Sequence, residues 1–214
     1  MSNTFNRNEN SSPKPDANIN GNRRSRNELK SEIIRKLLHF SIALSPFLAS
    51  INRRWTLIFL LAGVACWTIF EILRLNGVKV PLVSMLTTIA SRPRDRGHFV
   101  FGPVTLGIGA FLALLLFSQP AASAAIYALA FGDGCAGLVG KFFGRHRPPF
   151  LFGKSIEGSL ACFAAVFLAS FLVLSDMRLI LFSALTAMFA EAMPLEDFDN
   201  LVLPLAVGLV VQLA

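Results

Sequence analysis

The chain has 214 residues, 54% of them hydrophobic and only 15% charged, with a formal charge of +7. That balance is too apolar for soluble domains of this length, so the bilayer is the expected solvent. The basic excess does not point to nucleic acid, because Lys and Arg cluster beside long apolar runs, where they serve membrane topology and anionic headgroups.

Residues 1–30 are rich in Asn, Ser, Pro and charge, with eight Asn and no apolar periodicity. They are expected to form a disordered cytoplasmic tail ahead of a membrane-embedded domain over 31–214. A cleavable signal peptide is not expected, since the first apolar run begins at Leu37, after Arg35 and Lys36. Apolar runs near 37–51, 55–73, 100–117, 121–143, 158–175, 179–193 and 201–214 predict an all-α, polytopic transmembrane helix bundle of about seven spans. With the N-terminus cytoplasmic, seventeen of the twenty Lys and Arg fall inside, and only Arg53, Arg54 and Arg178 outside, which selects this orientation. Cys66, Cys135 and Cys162 lie within predicted spans without metal-site spacing and read as small core residues.

The same threading gathers the ionisable side chains at one membrane face. The first cluster, RKLLHF (35–40), sets Arg35, Lys36 and His39 on one helical face, a pattern that alone would serve as a snorkelling anchor. SRPRDRGH (91–98) follows on the same side. In FGDGCAGLVGKFFGRH (131–146), Asp133, Gly137, Gly140 and Gly144 are spaced i, i+4, i+7, i+11, with Lys141 beside them. Close helix packing accounts for the glycines but not for the aspartate, whose charge inside a bilayer costs about 2.5–3.5 kcal/mol unless it is paired, hydrated or metal-bound.

Downstream, RHRPPFLFGKSIEGS (145–159) offers Arg145, Arg147, Lys154, Ser155, Glu157 and Ser159 in a Gly/Pro-bounded loop before a helix start. Cations and free backbone N–H groups at such a position suit a polyphosphate, although a positive-inside anchor has the same charge count. Gly153-Lys154-Ser155 is not the end of a P-loop, because Pro148 stands where that pattern needs glycine. In EAMPLEDFDNLVLPL (191–205) four carboxylates fall within nine residues. Facing a basic loop, they suggest a divalent cation held by oxygen; ion pairs that lock helices are the plainer reading.

With these segments in this order, the chain resembles the dolichol kinase, phytol kinase and CTP-dependent diacylglycerol kinase family of integral membrane lipid kinases, over about residues 33–210. Arg35 and Lys36 match the family's basic pair, and Asp133 and Gly140 its Asp-to-Gly motif. Lys154, Glu157 and Gly158 match its Lys-Ser-x-Glu-Gly motif, and Glu191, Asp199 and Asn200 its late acidic motif. Here Phe198 separates Asp197 from Asp199, where members often have adjacent acids. The resemblance implies phosphoryl transfer from CTP, or another nucleoside triphosphate, to the hydroxyl of a membrane lipid alcohol such as diacylglycerol, a polyprenol or phytol. Such an enzyme would work at the cytoplasmic face of a bacterial inner membrane or endoplasmic reticulum.

Residues and resemblance together set the expected roles. Asp133 with Glu191, Asp197 or Asp199 would hold Mg²⁺. Lys141, Arg145 and Lys154 would neutralise the triphosphate, beside Gly137, Gly140, Ser155, Gly158 and Asn200. Arg35 and Lys36 would clamp the transferred phosphate or the phosphorylated product, and Glu157 would act as base or orient Lys154. Phosphatidate cytidylyltransferases share the Asp…Gly helix and a Lys-x-x-Glu-Gly loop, but their Ser-Pro-x-Lys-Thr start and Asp-Arg-x-Asp ending are absent. A transporter for an anionic substrate is the non-enzyme alternative.

Overall fold

A computed structural model describes residues 32–78 and 97–214. The N-terminal tail reading and most of SRPRDRGH lie outside the described residues. Those described are helical where ordered, with no strand among them: α1 (32–42), α2 (Ser45–Leu75), α3 (Gly102–Leu116), α4 (Ala121–Tyr127), α5 (Gly134–Phe142), α6 (Ile156–Ser170), α7 (Met177–Ala192) and α8 (Asp199–Leu213). A π-helical turn, Ala128–Asp133, joins α4 to α5, so Ala121–Phe142 is one continuous rod.

That rod is the axis of the fold because its residues are small. Ala121, Ala122, Ala124, Ala125, Ala128 and Ala130 are buried, which lets α3, α6, α7 and α8 pack closely around it. Gly109 of α3 sits so near the Asn200 carbonyl that a Cβ would overlap it, and this contact seats the start of α8 against α3. α2 lies on the outside. Its Phe47, Ile51, Trp55, Phe59 and Ile69 are exposed, an apolar face too extensive for water.

Among the described residues two helices, Ser45–Leu75 and Ala121–Phe142, are long and apolar enough to cross a membrane. The other core helices, with 15 or 16 residues, rise about 22–24 Å against a hydrocarbon thickness of about 30 Å. The break predicted between Ile51 and Trp55 falls at Asn52, an extended residue (φ −155°, ψ 99°) where two helical stretches of α2 meet across a kink rather than through a longer loop, and a turn at 43–44 separates α1 from α2. The Asn52 side chain accepts from the Trp55 N–H (3.1 Å) and restarts the helix. Arg53, which looked misplaced, donates to the Leu114 and Phe117 carbonyls and caps the C-terminal end of α3.

Candidate active site

The site is built where α1 meets the π-helical turn. Asp133 is the last residue of that turn, and the extra residue per turn interrupts the regular ladder where a charged group must be aimed. Lys36 of α1 donates to Asp133 Oδ2 (2.7 Å) and to the Asp133 carbonyl (2.9 Å), and His39 Nδ1 lies 3.1 Å from the same Oδ2. The lysine is almost fully buried, so its ammonium has exchanged water for these oxygens. One turn earlier, Glu32 pairs with Arg35 (2.8 Å) and reaches Lys141 at 3.5 Å.

The glycine ridge works in two halves. A Cβ on Gly137 would collide with the Lys36 side chain, so this glycine gives α1 its approach. Gly140 instead faces Ser155 and Gly158 at the start of α6. Gly144 has left the helix, whose last residue is Phe142, so the ridge is shorter than the spacing predicted. Gly137→Ala should therefore push Lys36 off Asp133 and lower whatever activity the site supports about 10-fold, since displacements of this size misplace reacting groups. Gly63→Ala, where a Cβ meets nothing within 4 Å, should be silent. Turnover of the two purified variants decides it.

The loop after α5 is pinned from several sides. Arg147 donates to the Gly140 (2.7 Å) and Gly153 (2.6 Å) carbonyls. Ser155 caps α6 by accepting from the Gly158 N–H (3.1 Å). Lys154 points across to α7 and α8, donating to the Glu191 carbonyl and lying 3.2 Å from Glu191 Oε1 and 4.0 Å from Asp199 Oδ2. Ser159 donates to Glu191 Oε2 (3.1 Å).

These groups enclose a cavity of about 300 Å³, lined by Arg35, Lys36, Lys141, Arg147 and Lys154 over a floor of Gly137, Gly140 and Gly158, with Asp133, Ser155, Glu191 and Asp199 also on its wall. A second, narrow cavity of about 20 Å³ shares Arg35, Asp133 and Asp199 with it and adds His39, Asp197 and Asn200. Asn200 Nδ2 donates to Thr105 Oγ1 (2.9 Å) and the Gly102 carbonyl (3.4 Å), which leaves its buried Oδ1 without a hydrogen-bond partner. Among the described residues no three of His, Cys, Asp and Glu converge as a ready-made metal cage. A small hard cation nevertheless fits the narrow cavity, because Mg²⁺ takes one or two protein oxygens and completes its shell with water and phosphate. The carboxylates on its wall are those of Asp133, Asp197 and Asp199, beside the buried Asn200 Oδ1.

Two predicted positions are not brought in. Arg145 is exposed and absent from both cavity walls, its place taken by Arg147. Glu157 also lies outside both cavities: its carboxylate accepts from the His146 backbone N–H (3.1 Å) and sits 2.7 Å from the His146 ring nitrogen. The His146 side chain, with backbone N–H groups, holds the Glu157 carboxyl well below the usual range, at about 2. Among the described contacts Glu157 meets the loop rather than Lys154, and it lines neither cavity. Glu32 was missed, although Glu32, Arg35, Lys36 and His39 follow the i, i+3, i+4, i+7 register of one helical face.

No family model and no solved structure matches the chain. It is similar to a chloroplastic farnesol kinase of Arabidopsis thaliana, 31% identical over 159 residues that cover 65% of this chain and 46% of the relative. A probable chloroplastic phytol kinase 3 of Glycine max is 30% identical over 196 residues, 80% of this chain and 59% of the relative. A CTP-dependent diacylglycerol kinase 1 of Eremothecium gossypii is 27% identical over 138 residues, 63% and 43% respectively. The chain thus spans about half the length of the curated relatives it matches.

Proposed function

We propose, from homology to the farnesol, phytol and CTP-dependent diacylglycerol kinases whose motifs it resembles, that this chain is a lipid kinase moving the γ-phosphate of CTP, or another nucleoside triphosphate, to the hydroxyl of a membrane lipid alcohol. The observation that carries the reading is the pairing of a cationic, glycine-floored cavity with a narrow carboxylate-lined one across Asp133. Phosphoryl transfer needs that division. Its transition state is loose, so catalysis consists mainly of holding a triphosphate in line and compensating charge on its oxygens.

In the larger cavity Lys141, Arg147 and Lys154 neutralise the triphosphate, and the absence of side chains at Gly137, Gly140 and Gly158 lets phosphate approach the backbone. Arg35 and Lys36, carried on the first helix, reach the transferred group from the side where a lipid alcohol arrives. Glu191 fixes the direction of Lys154, and Glu157 holds the loop through His146. Asp197, Asp199 and Asn200, with Asp133, are the residues that would hold Mg²⁺, which when bound would supply Lewis-acid compensation for the phosphate charge. About seven spans, with the N-terminus and this site on the cytoplasmic side, would put the alcohol at the headgroup level where a soluble nucleotide can meet it.

The test uses purified protein in lipid micelles with Mg²⁺ and CTP labelled separately at the γ- and α-phosphates, offered diacylglycerol, polyprenol, phytol, farnesol and phosphatidate. Transfer of γ label to an alcohol is the expected result and names the acceptor. Transfer of α label to phosphatidate would make the protein a cytidylyltransferase. If neither label moves, and ATP and UTP are also inert, the kinase reading fails and anion transport is what remains.

A further inference from the structure

α2 carries a carboxylate that none of these roles uses. Glu71 is completely buried near the C-terminal end of α2, in its long apolar stretch after Arg54. It receives Arg74 in a two-point pair (Nε to Oε2 2.9 Å, Nη2 to Oε1 2.7 Å) and accepts the Val100 backbone N–H (2.9 Å). Arg74 also donates to the His98 carbonyl (2.9 Å), and Trp67 Nε1 lies 3.3 Å from the Val100 carbonyl. Trp67, Glu71 and Arg74 stand at i, i+4 and i+7, so three side chains along about two turns of one face of α2 make polar contacts with the 98–100 backbone. A pair serving only α2 would not need Val100, and a buried charge that loses a partner is costly.

The gripped segment leads straight into the site. Two residues after Val100, Gly102 begins α3; Gly102 and Pro103 line the narrow cavity, and the Gly102 carbonyl and Thr105 hydroxyl hold the Asn200 amide. Those two bonds direct Asn200 Oδ1 away from α3. We infer that Glu71 is a positioning residue: by clamping residues 98–100 it fixes the first turn of α3 and, through Gly102 and Thr105, the orientation of Asn200. The inference rests on the proposed function only for its kinetic consequence. Its geometric part stands alone.

The experiment compares the full chain with Glu71→Gln, which keeps an acceptor oxygen and the shape but removes the charge that holds Arg74. Hydrogen exchange measured peptide by peptide should quicken about 10-fold at residues 98–103 and also at 199–203, at the start of α8, with residues 121–130 of the core unchanged. In the lipid phosphorylation assay, the Mg²⁺ concentration for half-activation should rise about 10-fold while the KM for the alcohol stays put, as for loss of an outer support of a metal ligand. Faster exchange confined to 98–103 would overturn the inference, because the clamp would then be local. Unchanged Mg²⁺ dependence despite coupled exchange would overturn the kinetic consequence, and with it any part of Asn200 in holding the cation. If wild-type protein phosphorylates no lipid, the function fails while the exchange at 199–203 still decides the positioning role. Should Glu71→Gln not accumulate, Arg74→Gln, which leaves Glu71 bonded to Val100, should give the same pattern more weakly.

Discussion

Replacing Asp133 by Asn should lower lipid phosphorylation by about 100- to 1,000-fold, the usual cost of removing one preorganised electrostatic group. The substitution preserves volume and removes only charge, at a residue that faces both cavities, as Arg35 and Asp199 do, and that also binds Lys36 and lies beside His39. Two causes could produce the loss, and they separate. Lys36 is almost fully buried, so an Asn side chain in place of Asp133 leaves its ammonium on neutral oxygens without the carboxylate's counter-charge, and breaking such a pair from one side destabilises by about 3–5 kcal/mol. Thermal unfolding in detergent measures that term. Combining Asp133→Asn with Lys36→Met removes the stranded charge and should recover much of the stability. Because Lys36 itself reaches the transferred group, Lys36→Met alone is the reference for activity: the double variant should fall well below it if the carboxylate itself meets the phosphates or their cation. Near-normal phosphorylation by Asp133→Asn would remove Asp133 from the chemistry and leave it a helix-locking ion pair.

Much of the arrangement was legible in the sequence because charge inside an apolar chain is costly and so is concentrated where it is used. Arg35, Lys36, Asp133, Lys154, Glu191 and Asp199 come from five different helices or their flanking loops, yet all line one cavity, the convergence that their apolar surroundings led one to expect. What was not legible depends on single contacts. Arg53 and Arg54 mark a break because two adjacent cations interrupt apolar runs, and the helix does kink beside them at Asn52; the capping of α3 by Arg53 is a long-range bond that periodicity cannot register. Arg145 and Arg147 are alike in composition. A 3₁₀ turn at Pro149–Leu151 and the left-handed Phe152 (φ 50°) decide that Arg147 folds back onto Gly140 and Gly153. The π-helical turn that presents Asp133 has no compositional signature, and Glu71 belongs to no motif, being marked only by its register with Trp67 and Arg74.

Lys154→Ala should lower kcat/KM for the nucleotide by about 100-fold, the upper range for a hydrogen-bonded charge pair, while leaving the KM of the lipid alcohol nearly unchanged. Lys154 is the cation that joins the loop before α6 to the end of α7 and the start of α8, through Glu191 and Asp199. Its ammonium remains partly exposed to the larger cavity, so it can trade a carboxylate for phosphate when a nucleotide arrives. A membrane anchor would behave differently: its loss would change insertion or yield but not the nucleotide dependence of the protein that is correctly inserted. Glu191 supplies the second axis of the test. Buried beside Ser159, it loses its only cation in Lys154→Ala among the described contacts, so part of the defect could come from that stranded carboxylate. Adding Glu191→Gln removes the stranded charge. If the nucleotide KM then returns to the wild-type value, Lys154 serves only to neutralise Glu191. If it stays raised, the lysine binds phosphate directly, and the loop between α5 and α6 is the triphosphate-binding element.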